Sequence, residues 1–218
     1  MKAKLFLISI FCFILCGQIH AEDKAKLLSP EVRDVYLSCV QMSRAIGSSN
    51  KPMLQEANAK LKKSDTKDFN FLHPIDNDQL SLDGHFVFDE EFVDSLLAGH
   101  NVYLFAQRYA QNRAKRGTAA TGKVYIKTYA VKASSSVKYS LASKGRQELA
   151  VVAEPGGLIS LRIYDKTNKK WYNDTVNVKI GDSSRVLVFD LPSDKKCPLV
   201  LEVINCSKKD ISFVVISN

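Results

Sequence analysis

The sequence predicts an α+β protein: an N-terminal helical region with a short β-hairpin, followed by an antiparallel, jelly-roll-like β-sandwich of about eight strands. Two observations carry this reading. Up to Gly117, apolar residues recur at helical spacing between capping residues. From Thr118 onward, short apolar runs alternate with turn residues. The expected organisation is therefore a leader at 1–21, a mainly helical region at 22–117 and a sandwich at 118–218.

The leader, MKAKLFLISIFCFILCGQIHA, has Lys2 and Lys4, an apolar run from Leu5 to Leu15, and Ile19-His20-Ala21. Basic, apolar and small-residue regions in that order form an export signal, with cleavage expected after Ala21. The run is shorter than the about 20 residues needed to span a bilayer, so no transmembrane segment is expected to remain. Leu15, directly before Cys16, is too bulky for lipidation at that cysteine. Loss of Lys2 and Lys4 lowers the formal net charge from +8 to +6. The remaining Lys and Arg are interspersed among 23 Asp and Glu, which describes a solvated surface and not a nucleic-acid footprint. A weak attraction to anionic envelope surfaces or acidic glycans is left open.

Ser29-Pro30-Glu31 reads as a helix start, Ser as N-cap and Pro at the first helical position, with Val32, Val35, Tyr36, Cys39, Met42 and Ile46 on one face before Gly47. A shorter helix is expected from Pro52 to Lys63, with Leu54, Ala57 and Leu61 inward and Lys60, Lys62 and Lys63 at the end that favours cations. Gln79 to Phe88 contains Asp83-Gly84, a type I′ hairpin signal. Asp89 then caps a helix with Glu90 and Glu91 in its first turn and Phe92, Val93, Leu96 and Leu97 inward. A further helix is expected from about Val102 to Arg116.

In the sandwich, alternation points Ile159, Leu161, Ile163, Leu187, Phe189, Leu199, Leu201, Val203, Ile211, Phe213 and Val215 inward. Cys197 and Cys206 bracket one extended strand and stand about 30 Å apart. That is too far for a disulfide, so these two and Cys39 read as small buried apolar residues.

The segments Leu158 to Asp165, Val188-Phe189-Asp190-Leu191-Pro192, Leu199 to Asn205 and Ile211 to Ser217 follow one another in an order that resembles bacterial pre-peptidase C-terminal-type sandwich domains. The resemblance covers the last 60 residues or so and lacks the Gly-x-Tyr that often precedes the penultimate strand. It implies an exported, non-catalytic module that accompanies enzymes or contacts envelope polymers.

Chemistry-bearing motifs are sparse. His73, His85 and His100 have no metal-ligand spacing, and Asp76-Asn77-Asp78 with Asp83-Gly84 lacks the acid that closes a calcium loop, Val87 standing there. There is no Gly-x-Ser-x-Gly elbow or phosphate loop, and no motif asks for a cofactor. Glu90 and Glu91 point about 100° apart and serve the helix terminus. The candidate binding residues are Trp171 and Tyr172 with the preceding Lys169 and Lys170, because aromatic faces stack on sugars. Alternation sends the two rings to opposite faces, and the commoner fate of a lone tryptophan at a strand start is the core, so Trp171 is expected to pack inward. Arg113 and Arg116, with Arg108 and Lys115, add a basic patch suited to anionic lipid or polysaccharide, or to the helix's own dipole.

The expected function is that of an exported, non-enzymatic binding or structural protein of the bacterial cell envelope or extracellular space, with an envelope polysaccharide, acidic glycan or protein as partner. The alternative is an extracytoplasmic hydrolase, or its accessory subunit, with loop histidines gathered between the two halves. Convergence of two or more loop histidines or carboxylates in one cleft would favour the enzyme; their dispersal with an exposed aromatic face would favour binding.

Overall fold

The computed structural model describes residues 21–69, 72–75, 80–117, 123–173 and 183–218, the side chains of 113–117 excepted. The leader and the Asp76-Asn77-Asp78 run lie outside them. No helix among the described residues is long and apolar enough to cross a membrane. The chain is an α+β protein with N-terminal helices followed by a β-sandwich.

The helices are α1 (Pro30–Gly47), α2 (Lys51–Lys63), α3 (Glu90–Leu97) and α4 (Ala106–Gly117), with a 3₁₀ turn at Val102–Phe105 leading into α4. Two short strands, β1 (Thr66–Asp68) and β2 (His73–Pro74), lie between α2 and α3. The sandwich strands are β3 (Val124–Val131), β4 (Ser136–Ser143), β5 (Arg146–Ala153), β6 (Ile159–Asp165), β7 (Lys170–Asn173), β8 (Ser184–Asp190), β9 (Cys197–Asn205) and β10 (Ile211–Ser217). Sheet A has the order β1-β3-β10-β5-β8 and sheet B the order β2-β4-β9-β6-β7. All pairings are antiparallel except β1 with β3.

Burial along the strands shows how the layers stack. In β6 it alternates, one face buried and one half-exposed, whereas β10 is buried at every residue. A strand buried on both faces lies in a covered sheet. The covering layer is helical: Val32, Val35, Tyr36 and Met42 of α1 join Ala150, Val152, Val214 and Ile216 from the outward face of sheet A in one core. The second core lies between the sheets and holds all eleven residues expected to point inward. The molecule is thus helices on sheet A on sheet B. Both cores draw on residues from either side of Gly117.

Polar contacts fix α1 to sheet A. Ser29 occupies the N-cap position, but its hydroxyl does not cap the helix; it donates to Glu148 Oε2 at 2.8 Å, as does its backbone N–H at 2.7 Å. The buried carboxylate out-competes the local cap because it offers charge to two donors at once. Ser43 donates to the Ala153 carbonyl at 2.8 Å, and Lys24 Nζ to the Ser184 carbonyl at 2.9 Å. Asp89 caps α3 as expected, accepting from the N–H groups of Glu91 and Phe92 at 3.0 Å each.

Of the hairpin expected at Gln79–Phe88, the described residues show the turn without flanking strands. His85 N–H donates to the Leu82 carbonyl at 3.0 Å, and Gly84 alone takes a positive φ, 89°, which is a type II pattern and not type I′. Phe86, Val87 and Phe88 are buried in the helical core instead of pairing across the turn. Cys39 and Cys197 are buried, as expected, but Cys206 is exposed just beyond β9.

Candidate functional site

With sheet A covered by helices, the open face of the sandwich is the outer side of sheet B. Three buried residues of β6, Ile159, Leu161 and Ile163, turn Arg162 and Tyr164 outward. The loop after β6 is set by Asp165, which is buried and accepts from the backbone N–H of Thr167 at 2.8 Å and Asn168 at 3.1 Å, and from the Asn168 amide at 2.7 Å. Burial acts to raise the pKa of Asp165, but these hydrogen bonds outweigh it and hold the carboxyl below its usual range. Lys169 closes the loop at φ 51°. The resulting register places Tyr164 opposite Trp171 and Ile163 opposite Tyr172.

That register decides the fate of the two candidate aromatics. Tyr172 follows Ile163 inward and stacks on Phe189, centroids 4.6 Å apart at 26°. Trp171 faces outward and is 43% exposed, contrary to the expectation that it packs in the core. Alternation allows only one of two adjacent rings inside, and Tyr172 holds the place opposite buried Ile163. The Trp171 ring lies 4.9 Å from that of Tyr164, with the Arg162 guanidinium carbon 4.6 Å from its centroid.

Arg162 is held from beneath by Glu202, whose Oε2 accepts from Nε at 2.5 Å, while Ser136 donates to Oε1 at 2.9 Å. Burial acts to raise the Glu202 pKa; hydrogen bonds from Arg162 and Ser136, with the charges of Arg162 and Lys138, overcome it and keep the carboxylate ionised. The buried acid orients the cation. It uses one of five guanidinium donors. Lys170, at the loop end, lies over the Tyr172 ring at 4.9 Å.

The site is therefore Trp171, Tyr164 and Arg162, with exposed Lys169 in the adjoining loop, while Lys170 shares the face of Tyr172. Sequence reading found Trp171 and the lysines. It missed Arg162 and Tyr164, although the β6 alternation marks both as outward; joining them to Trp171 required the loop register. Arg113 and Arg116 belong to α4, but their side chains lie outside the described residues.

The histidines are dispersed. His73 is exposed on β2 at the edge of sheet B, and His100 is exposed beyond α3. His85 is mostly buried, with Nδ1 3.2 Å from Glu154 Oε1. A cleft of about 520 Å³ beside β3 and β4, floored by Tyr129 and Tyr139, is lined by no histidine and no carboxylate. A cleft of about 680 Å³ at the end of the sandwich has His73 alone.

No protein-family model matches the sequence, and no curated protein matches it. Solved structures with partial likeness include the Yersinia pseudotuberculosis-derived mitogen (9% identity, 44% of this chain and 85% of that one, TM-score 0.34). Salmonella Typhimurium PliG, a periplasmic lysozyme inhibitor of g-type lysozyme, gives 12% identity over 44% of this chain and 89% of its own, TM-score 0.31. A de novo designed double-stranded β-helix gives 13% identity over 43% and 97%, TM-score 0.25. Likenesses at this level leave the function to be argued from the chain's own surface.

Proposed function

We propose that the protein is an exported binding module that holds an acidic glycan of the cell envelope or its surroundings on the outer face of sheet B. The observation that carries this is the exposed Trp171 ring seated against Tyr164 and Arg162. An indole offers a flat apolar surface to the C–H face of a sugar ring, and a guanidinium beside it pairs with a uronate or sulfate group in a bidentate fork. Export follows from the leader, and a binding role accords with the resemblance of the C-terminal strands to pre-peptidase C-terminal-type domains. Among the described residues no two histidines share a cleft, and the carboxylates Glu31, Asp34 and Asp65 that line a cleft of about 620 Å³ beside α1 have no histidine among them, which favours binding over the hydrolase alternative.

Trp171 is the only tryptophan in the chain, so intrinsic indole fluorescence reports on this site alone. Titration with uronate-containing oligosaccharides is expected to give a saturable change that weakens with salt, and neutral oligosaccharides a smaller one. In calorimetry, Trp171→Ala lowers affinity about tenfold or more, the loss expected of a stacked ring contact. Its melting temperature stays near that of the unaltered protein because the ring lies outside both cores. Absence of saturable binding across the acidic panel, or an unchanged affinity in Trp171→Ala, overturns the proposal.

A further inference from the structure

The strand registers extend the outer face of sheet B well beyond Trp171. Trp171 stands opposite Tyr164, Tyr164 opposite Val200 and Val200 opposite Ser140, so these side chains form one row across β7, β6, β9 and β4. A second row runs beside it, with Asn173 opposite Arg162, Arg162 opposite Glu202 and Glu202 opposite Lys138. Val200 and Ser140 are half-exposed and Lys138 is exposed. Neighbouring strands stand about 4.8 Å apart, which sets Lys138 about 10 Å from Arg162 with Glu202 between them. Alternation makes Glu202 the one carboxylate that the described residues of β4, β6, β7 and β9 turn outward, since Asp165 is buried on the side of Ile163. Glu202 is itself only 3% exposed, and its two oxygens are engaged by Ser136 and Arg162. The Lys138 ammonium is left facing solvent.

Building on the glycan reading above, we propose that the ligand is a linear β-linked chain that lies across the strands, with acid groups on every second sugar, one held by Arg162 and the next by Lys138. One sugar of an extended chain is about as long as one strand spacing, so successive rings rest on successive members of the Trp171 row. Alternate sugars turn the same edge to the same side, and acids carried by them recur at the Arg162–Lys138 separation. The charges of the second row, cation, carboxylate, cation, fit that repeat: a neutral sugar passes Glu202, where a further acid meets like charge. The first row changes along its length from aromatic Trp171 and Tyr164 to the smaller Val200 and Ser140. One end of the chain is therefore stacked and the other is held mainly by charge.

The test is titration of the purified protein with the disaccharide and the tetrasaccharide of alternating glucuronate and N-acetylglucosamine, read by Trp171 fluorescence. The tetrasaccharide is expected to bind about tenfold more tightly, because its second acid is captured intramolecularly. Lys138→Gln is expected to shrink that advantage about fivefold, to the gain of about two that two acids per chain give statistically. Lys138→Arg, which keeps the charge, is expected to retain it. Taking the ratio of the two lengths removes any effect that the substitution has on Arg162 through Glu202, and an unchanged melting curve confirms the fold. Equal affinity for the two lengths, or an advantage that survives in Lys138→Gln, overturns the Lys138 subsite and leaves the Trp171 site standing. No fluorescence response to either length overturns the glycan reading and this proposal together.

Discussion

Phe92→Ala lowers the melting temperature by about 10 °C or more, corresponding to roughly 3–5 kcal/mol for a large aromatic removed from a closed core. Phe92, on α3, has no exposed surface. Its ring meets those of Phe86, Tyr103 and Tyr109 at 5.4, 5.5 and 5.4 Å, each within a few degrees of perpendicular. Edge-to-face pairs place the positive rim of one ring against the negative face of another, which adds to area burial. The neighbours come from the segment after the Asp83-Gly84 turn, from the 3₁₀ turn and from α4, so truncation opens a void that no single element can close. Phe92→Leu, which keeps most of the volume, is expected to cost less than half as much. Thermal melts of the two variants by circular dichroism check the order; equal losses would mean that the ring geometry contributes little.

Glu154→Ala is expected to destabilise the fold by about 3 kcal/mol, because it takes the acceptor from the buried Phe86 N–H and the carboxylate from His85 in a largely buried site. Glu154 takes a hydrogen bond from the Phe86 N–H at 3.2 Å, lies 3.2 Å from His85 Nδ1, and has the Ser212 hydroxyl 3.0 Å away. Burial acts to raise its pKa, but the hydrogen bonds from His85, Phe86 and Ser212 and the charge of His85 prevail, so the folded value lies below that of an ordinary glutamate. The unfolded chain therefore binds the proton more readily. The stabilisation is full above the unfolded carboxyl value of about 4.3 and is lost as pH falls through the lower folded value. Glu148 and Glu202 shift in the same direction and add to this acid limb. Melting temperature plotted against pH is expected to fall more gently below pH about 4.5 in Glu154→Gln than in the unaltered protein. An identical slope would show that Glu154 does not contribute.

Local signals account for what could be read in advance. Asp89 before two glutamates marked α3, the spacing of Val32 to Ile46 marked α1, and alternation placed Ile159 and its ten companions inward. What escaped depends on distant residues. Ser29 looks like a side-chain cap until Glu148, 119 residues away, claims its hydroxyl. Residues 86–88 fail to form a strand because the helical core offers Phe86 and Phe88 burial that a two-stranded ribbon cannot match. At the candidate site, Trp171 was visible as a residue but its orientation was not, since that rests on the Asp165 loop and on which neighbour reaches Phe189 first. One further cue was present: the unbroken run Leu149 to Ala153 contrasts with the alternation of Ile159 to Tyr164, and that contrast distinguishes a covered sheet from an open one.

The strand order also sets when the molecule can come into being. β9 is the middle strand of sheet B and β10 the middle strand of sheet A, and they arise from residues 197–217. Without them, sheet A separates into the pairs β1-β3 and β5-β8, and sheet B into β2-β4 and β6-β7. Isolated two-stranded pieces are marginal in water, and synthesis at about 5–20 residues per second leaves them waiting. Closure of both sheets is consequently deferred until residues 197–217 have been synthesised. A chain under that delay spends longer in an extended, unpaired state than one whose sheets close strand by strand, and its late strands act as the latch for both layers at once.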